Sequence, residues 1–138
     1  MCSIIGWSTN SDARVTPKMV NAMLRVAEQN GVHSTGILGS VDGRWIVKKR
    51  AISPSTFIKN HHRIISKWAA GRSGIGHARW ATHGAVVDKN AHPFEWHCND
   101  GSTIHFVHNG IISNWKELIV KYGPHTAEVD SECLGPLI

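Results

Sequence analysis

Cysteine stands at position 2 of a 138-residue chain, directly before a short apolar, β-branched stretch at 3–7. Removal of Met1 leaves one residue carrying a thiol beside its own free α-amine, a nucleophile and a base in one place. An unperturbed α-amino group titrates near about 7.7 to 8.0, so at neutral pH some of it is free to accept the thiol proton. The ordinary alternative for Cys2 is a small buried residue at a strand tip, and its position alone does not separate the two. Ten histidines invite a metal site, and His92, His97 and Cys98 lie close in sequence. Yet no H-E-x-x-H, paired C-x-x-C or repeating spacing accompanies them, so no metal site is expected. Cys98 and Cys133 have no local signature of a nucleophile.

Four strings accompany one another along the chain: MCSIIG at 1–6, GHARWATHG at 76–84, NAHPF at 90–94 and VHNGII at 107–112. In this order they resemble the class II glutamine amidotransferase domain, one of the N-terminal-nucleophile hydrolases. RWATHG and NAHP make the chain most similar to the glutaminase domains of glucosamine-6-phosphate synthases. They are less like the amidophosphoribosyltransferase and asparagine synthetase relatives. The likeness runs from Cys2 to the acidic stretch EVDSE at 128–132. It implies an α+β fold, the αββα layered sandwich of N-terminal-nucleophile hydrolases, and a single domain over residues 1–138. It also implies attack of the Cys2 sulfur on the glutamine side-chain carbonyl, release of ammonia and hydrolysis of a glutamyl thioester, with no metal or organic cofactor.

Glutamine presents an α-carboxylate, an α-ammonium and a side-chain amide, so a specific site needs a cation, an anion and an oxyanion hole. By the resemblance, Arg79 binds the α-carboxylate, where its planar fork suits the anion. A strand-end arginine in a surface ion pair is the plainer alternative. Asp130 is implied to hold the α-ammonium, and it could equally cap the helix that follows it. Asn109 and Gly110 are implied to form the oxyanion hole through a side-chain amide and a backbone N–H, although Asn-Gly is also a common turn. Trp80, Thr82, His83 and His92 fall in the family's RWATH and NAHP strings and are implied to wall the glutamine pocket and order its loops. Two places depart from the family pattern. Ser3 stands where glycine is usual, and VHSTG at 32–36 replaces more usual acidic and small residues. Family domains usually continue past the acidic motif, so the resemblance implies that the second layer is completed by further chain or by a partner. It implies, too, an ammonia-accepting synthase or an oligomeric partner. A catalytically inactive binding or assembly module is the competing reading.

Several elements must position these groups. The stretch 3–7 reads as a buried strand that starts almost at Cys2. Thr16-Pro17 is a cap and first-turn proline, Val20, Met23, Leu24 and Ala27 share a face, and Gly31 supplies a stop, which predicts a helix over 17–30. Asp42-Gly43 predicts a hairpin turn between strands at 36–38 and 45–47. Ser53-Pro54 opens a helical turn, and Ile64, Ile65 and Trp68 mark a second helical face ending near Gly71. A strand at 75–79 leads into a long loop over 80–96, of a length that is usually functional or disordered. Asp100-Gly101 turns into a strand at 103–107. Asn114 with Glu117 resembles a capping box for a helix whose face is Trp115, Leu118, Ile119 and Tyr122, closed by Gly123. Mixed helices and strands of this order suit an α+β or layered α/β sandwich.

Composition narrows the setting. The chain is 41% hydrophobic and 18% charged, an ordinary globular balance, and no apolar run approaches bilayer-spanning length. Three widely separated cysteines, Cys2, Cys98 and Cys133, make a poor disulfide framework and point to the cytoplasm. The net charge of +5 comes from Lys and Arg scattered outside Lys48, Lys49 and Arg50, which reads as a solvated face. Six tryptophans could stack nucleic-acid bases. Trp68 and Trp115 lie on helical faces expected to be buried, so nucleic acid is not the expected partner.

Overall fold

Apolar alternation in the strands and one-sided faces in the helices give an antiparallel sheet backed by two helices, with a small second sheet on the other side. The computed structural model describes residues 1–10, 12–124 and 128–138. Strands β1 (Ser3–Ser8), β2 (Ser34–Val41), β3 (Arg44–Arg50) and β4 (Ser73–Arg79) pair in the order β1-β4-β2-β3. All three pairings are antiparallel. Asp42 and Gly43 take φ of 50° and 74° at the β2–β3 turn, the left-handed pair that a two-residue hairpin of the expected kind requires.

Helix α1 (Pro17–Ala27) begins where expected, with the Thr16 hydroxyl accepting from the Met19 N–H at 3.3 Å. It presses Val20, Leu24 and Ala27 into the core. Each fully buried aliphatic side chain of this kind contributes roughly 1.5 to 3 kcal/mol. The helix ends before residue 30, and Gly31 is not among the glycines with left-handed backbone. Close approach fixes that glycine instead: a Cβ on Gly31 would lie 2.2 Å from the Ala78 carbonyl oxygen. The two helical signals after Ser53 join into one helix, α2 (Pro54–Ala70), bent at His61, where φ is −125° and ψ 24°. Trp68 of α2 is wholly buried, and its indole N–H donates to the Ile46 carbonyl at 3.0 Å. Satisfying that polar edge lets so large a ring enter the core.

Side chains alternate across the sheet, so β2 sends Ile37 into the helical core, while Gly36 and the β4 residue His77 face the segment 92–94. Gly36 is required there, since a Cβ would meet the His92 carbonyl oxygen at 1.9 Å. Lys49 of β3 reaches the same segment, donating to the Pro93 carbonyl at 3.2 Å with its ammonium over the Phe94 ring. The expected loop over 80–96 therefore contains structure: a 3₁₀ turn at Asp88–Asn90 and the start of β5 (Phe94–His97), which pairs with β6 (Thr103–Phe106). Its signal was missed because four residues are too few to show a period. Helix α3 (Trp115–Tyr122) follows Asn114, but the Asn114 side chain makes no capping bond, so the capping box is not formed. Ile119 is buried, whereas Tyr122, expected on the inner face, is 47% exposed. An eight-residue helix has room for little more than one buried turn. A 3₁₀ segment, Asp130–Leu137, closes the described fold.

Candidate active site

Cys2 sits half-buried at the entrance to β1, and pairing of β1 with β4 brings it beside the point where β4 gives way to the RWATHG loop. Its sulfur lies against the backbone of one residue, Trp80. The Trp80 N–H donates to Cys2 Sγ at 3.3 Å, and the thiol faces the Trp80 carbonyl at 3.6 Å. Ser3, the departure next to the nucleophile, accepts at its hydroxyl from the Asn30 side-chain amide at 3.0 Å, which ties the start of β1 to the end of the α1 turn.

Of the other expected site residues, Asn109 bonds Cys2 directly, while Gly110, Asp130 and Arg79 are placed by contacts of their own. Asn109, on the loop between β6 and α3, donates its side-chain amide to the Cys2 carbonyl at 3.0 Å. Gly110 follows it on the same exposed loop, where a Cβ would press on His108 Nε2 at 2.8 Å. Asp130 is 6% exposed. It does not cap the segment that follows it. Its Oδ2 instead accepts from the Ile112 N–H at 2.9 Å and so fastens the loop bearing Asn109 and Gly110. Arg79 is 4% exposed and has no surface ion pair among the described residues. Burial pulls its pKa down, while the charges of Cys2 and Asp130 support the cation. The guanidinium donates to the carbonyls of Ala85, at 3.4 Å, and His83. A strand-end cation thus also ties down its own loop.

The remaining expected residues scatter more. Trp80 is 45% exposed, its ring leaning on His33 at a centroid separation of 4.7 Å. Thr82 is exposed, and His83 is half-buried with its ring 6.3 Å from that of Trp115. His92 lies beneath the loop, almost wholly buried, with its ring 4.1 Å from that of His77 and 4.5 Å from that of Phe94. Burial pushes the pKa of His92 down to about 2 and that of His77 to about 4. Both rings are therefore neutral at pH 7 and suited to ordering the site.

Three residues not singled out from sequence hold it together. His77 Nε2 donates to the His108 carbonyl at 3.0 Å, one peptide before Asn109. The His108 ring bonds Ser131 through Nδ1 at 3.0 Å. His33 accepts at Nδ1 from the Ala81 N–H at 2.9 Å. Strand alternation could have found His77, two residues before Arg79 and so on the same face. His33 stands inside the departing VHSTG stretch, where sequence shows a changed residue without showing what it meets. Among the described residues no three His, Cys, Asp or Glu side chains gather as metal ligands would. Two of the wider concavities lie elsewhere, one between β1 and α1 and one between the larger sheet and β6.

In fold the chain matches a glutamine phosphoribosylpyrophosphate amidotransferase from B. subtilis, with a TM-score of 0.74 and 20% identity over 99% of this chain and 29% of that one. It also matches an allosteric regulatory enzyme of purine biosynthesis, with a TM-score of 0.72 and 20% identity over 97% of this chain and 28% of the other. These likenesses show the fold, an α+β arrangement shared with both enzymes. No family model matches the sequence. The whole chain is nevertheless 36% identical to a glutamine–fructose-6-phosphate aminotransferase (isomerizing) of Aquifex aeolicus and 37% identical to that of Clostridium acetobutylicum. With that of Brucella suis it shares 40% identity over 118 residues. Over its whole length the chain is thus similar to these aminotransferases, and the resemblance is to the class II glutamine amidotransferase domain. The chain spans about a fifth of these relatives, 22% of the first two and 18% of the third.

Proposed function

We propose that residues 1–138 form one amidotransferase domain that hydrolyses the side-chain amide of glutamine through Cys2 and passes the ammonia to an acceptor on a separate domain or partner. The observation that supports this reading is the bond from the Asn109 side-chain amide to the Cys2 carbonyl, together with a buried Arg79 whose cation Cys2 and Asp130 favour. With Met1 removed, the Cys2 amine takes the thiol proton as the sulfur attacks the side-chain carbonyl carbon. A C–S bond forms, and the carbonyl π electrons move to oxygen. The Asn109 amide and Gly110 N–H stabilise that oxyanion. Its collapse breaks the C–N bond, and the departing nitrogen receives the proton from the ammonium of Cys2 and leaves as ammonia. Water, deprotonated by the same amine, then adds to the thioester, and breaking the C–S bond returns the thiol and releases glutamate.

Arg79 meets the glutamine α-carboxylate and Asp130 its α-ammonium, while Trp80, Thr82 and His83 border the bound side chain and His92 supports their loop. These roles use no metal and no organic cofactor. We place the reaction in the cytoplasm, on the strength of three cysteines that are all free thiols. No described helix is long and apolar enough to cross a membrane. The test is glutamate and ammonia release from glutamine by protein lacking Met1. Cys2→Ala is expected to abolish both while its circular dichroism stays that of the parent. Glutamine binding without hydrolysis by the Met1-free parent would favour the inactive binding module.

A further inference from the structure

The peptide that flanks the Cys2 sulfur is gripped on both sides by one residue. The His33 N–H donates to the Arg79 carbonyl at 3.0 Å, and His33 Nδ1 accepts from the Ala81 N–H at 2.9 Å. Between these two anchors lies Trp80, whose N–H and carbonyl face the sulfur at 3.3 and 3.6 Å. The imidazole also leans on the Trp80 indole, the ring planes 41° apart. We propose that His33 is a positioning residue that holds the Trp80–Ala81 segment against Cys2, an inference that rests on reading Cys2 as the nucleophile.

A nitrogen that accepts carries no proton, so Nδ1 is the acceptor in the bond from Ala81. His33 does not touch the reacting atoms; it acts through the backbone of Trp80. The ring holds the Trp80–Ala81 peptide, whose carbonyl faces the thiol, while the His33 backbone N–H holds the Arg79–Trp80 peptide, whose N–H donates to the sulfur. Without the Nδ1 anchor, the Trp80–Ala81 peptide loses its hold and its carbonyl can swing from the sulfur, leaving Trp80 fixed on its amino side alone. Position 33 lies in VHSTG, so the contact belongs to this chain's departure from the family strings.

Two substitutions in the full chain separate the acceptor from the ring. His33→Phe keeps an aromatic ring beside Trp80 and removes the acceptor, whereas His33→Asn supplies an amide oxygen near the place of Nδ1. His33 is half-buried, so neither change empties the core. Amide hydrogen exchange at Ala81 is expected to quicken about 3- to 10-fold in His33→Phe, the range set by one net hydrogen bond, and to return near the parent rate in His33→Asn. Alkylation of Cys2 by a diazoketone analogue of glutamine is expected to slow by a similar factor in His33→Phe and to recover in His33→Asn. Unchanged Ala81 exchange in His33→Phe, or exchange as fast in His33→Asn, overturns the proposal. If exchange responds as expected but the Met1-free parent ignores the analogue, the positioning contact stands and the amidohydrolase reading falls.

Discussion

Arg79 holds the carbonyls of His83 and Ala85 with the same guanidinium proposed to meet the glutamine carboxylate. Arg79→Lys keeps the charge but not the planar fork, and is expected to raise the KM for glutamine about tenfold or more, consistent with loss of a bidentate contact. Asp130 divides its work in another way. Asp130→Asn retains an oxygen for the Ile112 N–H and loses the charge, so KM should rise while unfolding in urea stays near that of the parent. Asn109→Ala should lower kcat by roughly a hundredfold to a thousandfold, as loss of one oxyanion donor does, with a smaller change in KM. A purely structural Asn109 would instead show a fall in stability with kcat preserved. Chemistry at this scale was legible in the sequence only as strings of residues. Cys2, Arg79, Asn109 and Asp130 lie far apart in the chain, and no periodicity relates them. That Asp130 fastens Ile112 and does not cap its own segment depends on a contact across 18 residues, beyond any local rule.

Elements were more legible where local chemistry fixes them. Thr16-Pro17, Ser53-Pro54 and Asp42-Gly43 each decide an end or a turn from neighbouring atoms, and the structure has helices and a hairpin at those places. Gly31 and Gly36 show the opposite case. Their reason is a carbonyl brought close by tertiary packing, which no window of sequence contains. Gly36→Ala is expected to destabilise the fold by about 1 to 3 kcal/mol, the usual cost of overpacking, because β2 or the His92 segment must move. Equilibrium denaturation measures this directly, and an unchanged midpoint would mean that the sheet gives way freely. Strand β5 escaped notice for its brevity, and α3 buries less of itself than its pattern suggested because only about two turns are present.

At the scale of the whole molecule, the buried imidazoles couple the fold to pH. The folded-state pKa of His77 is about 4 and that of His92 about 2, both below the ordinary 6.5. The unfolded chain therefore binds protons at these rings before the folded one does. Stability is fully present above about pH 6.5 and declines as pH falls toward 4. His77 alone accounts for on the order of 3 kcal/mol of that decline at pH 4, by the conversion of pKa shift to free energy. Urea midpoints measured from pH 7 to pH 4 should fall accordingly, and His77→Gln should flatten the curve. The central claim remains that Cys2, freed of Met1, is the nucleophile of a glutamine site. The most direct measurement is the intact mass and peptide map of the protein after exposure to the diazoketone analogue of glutamine. One adduct per chain, on Cys2, formed only where Met1 is absent and suppressed by excess glutamine, is the result expected. No adduct, an adduct on Cys98 or Cys133, or equal labelling of chains that retain Met1 would contradict it.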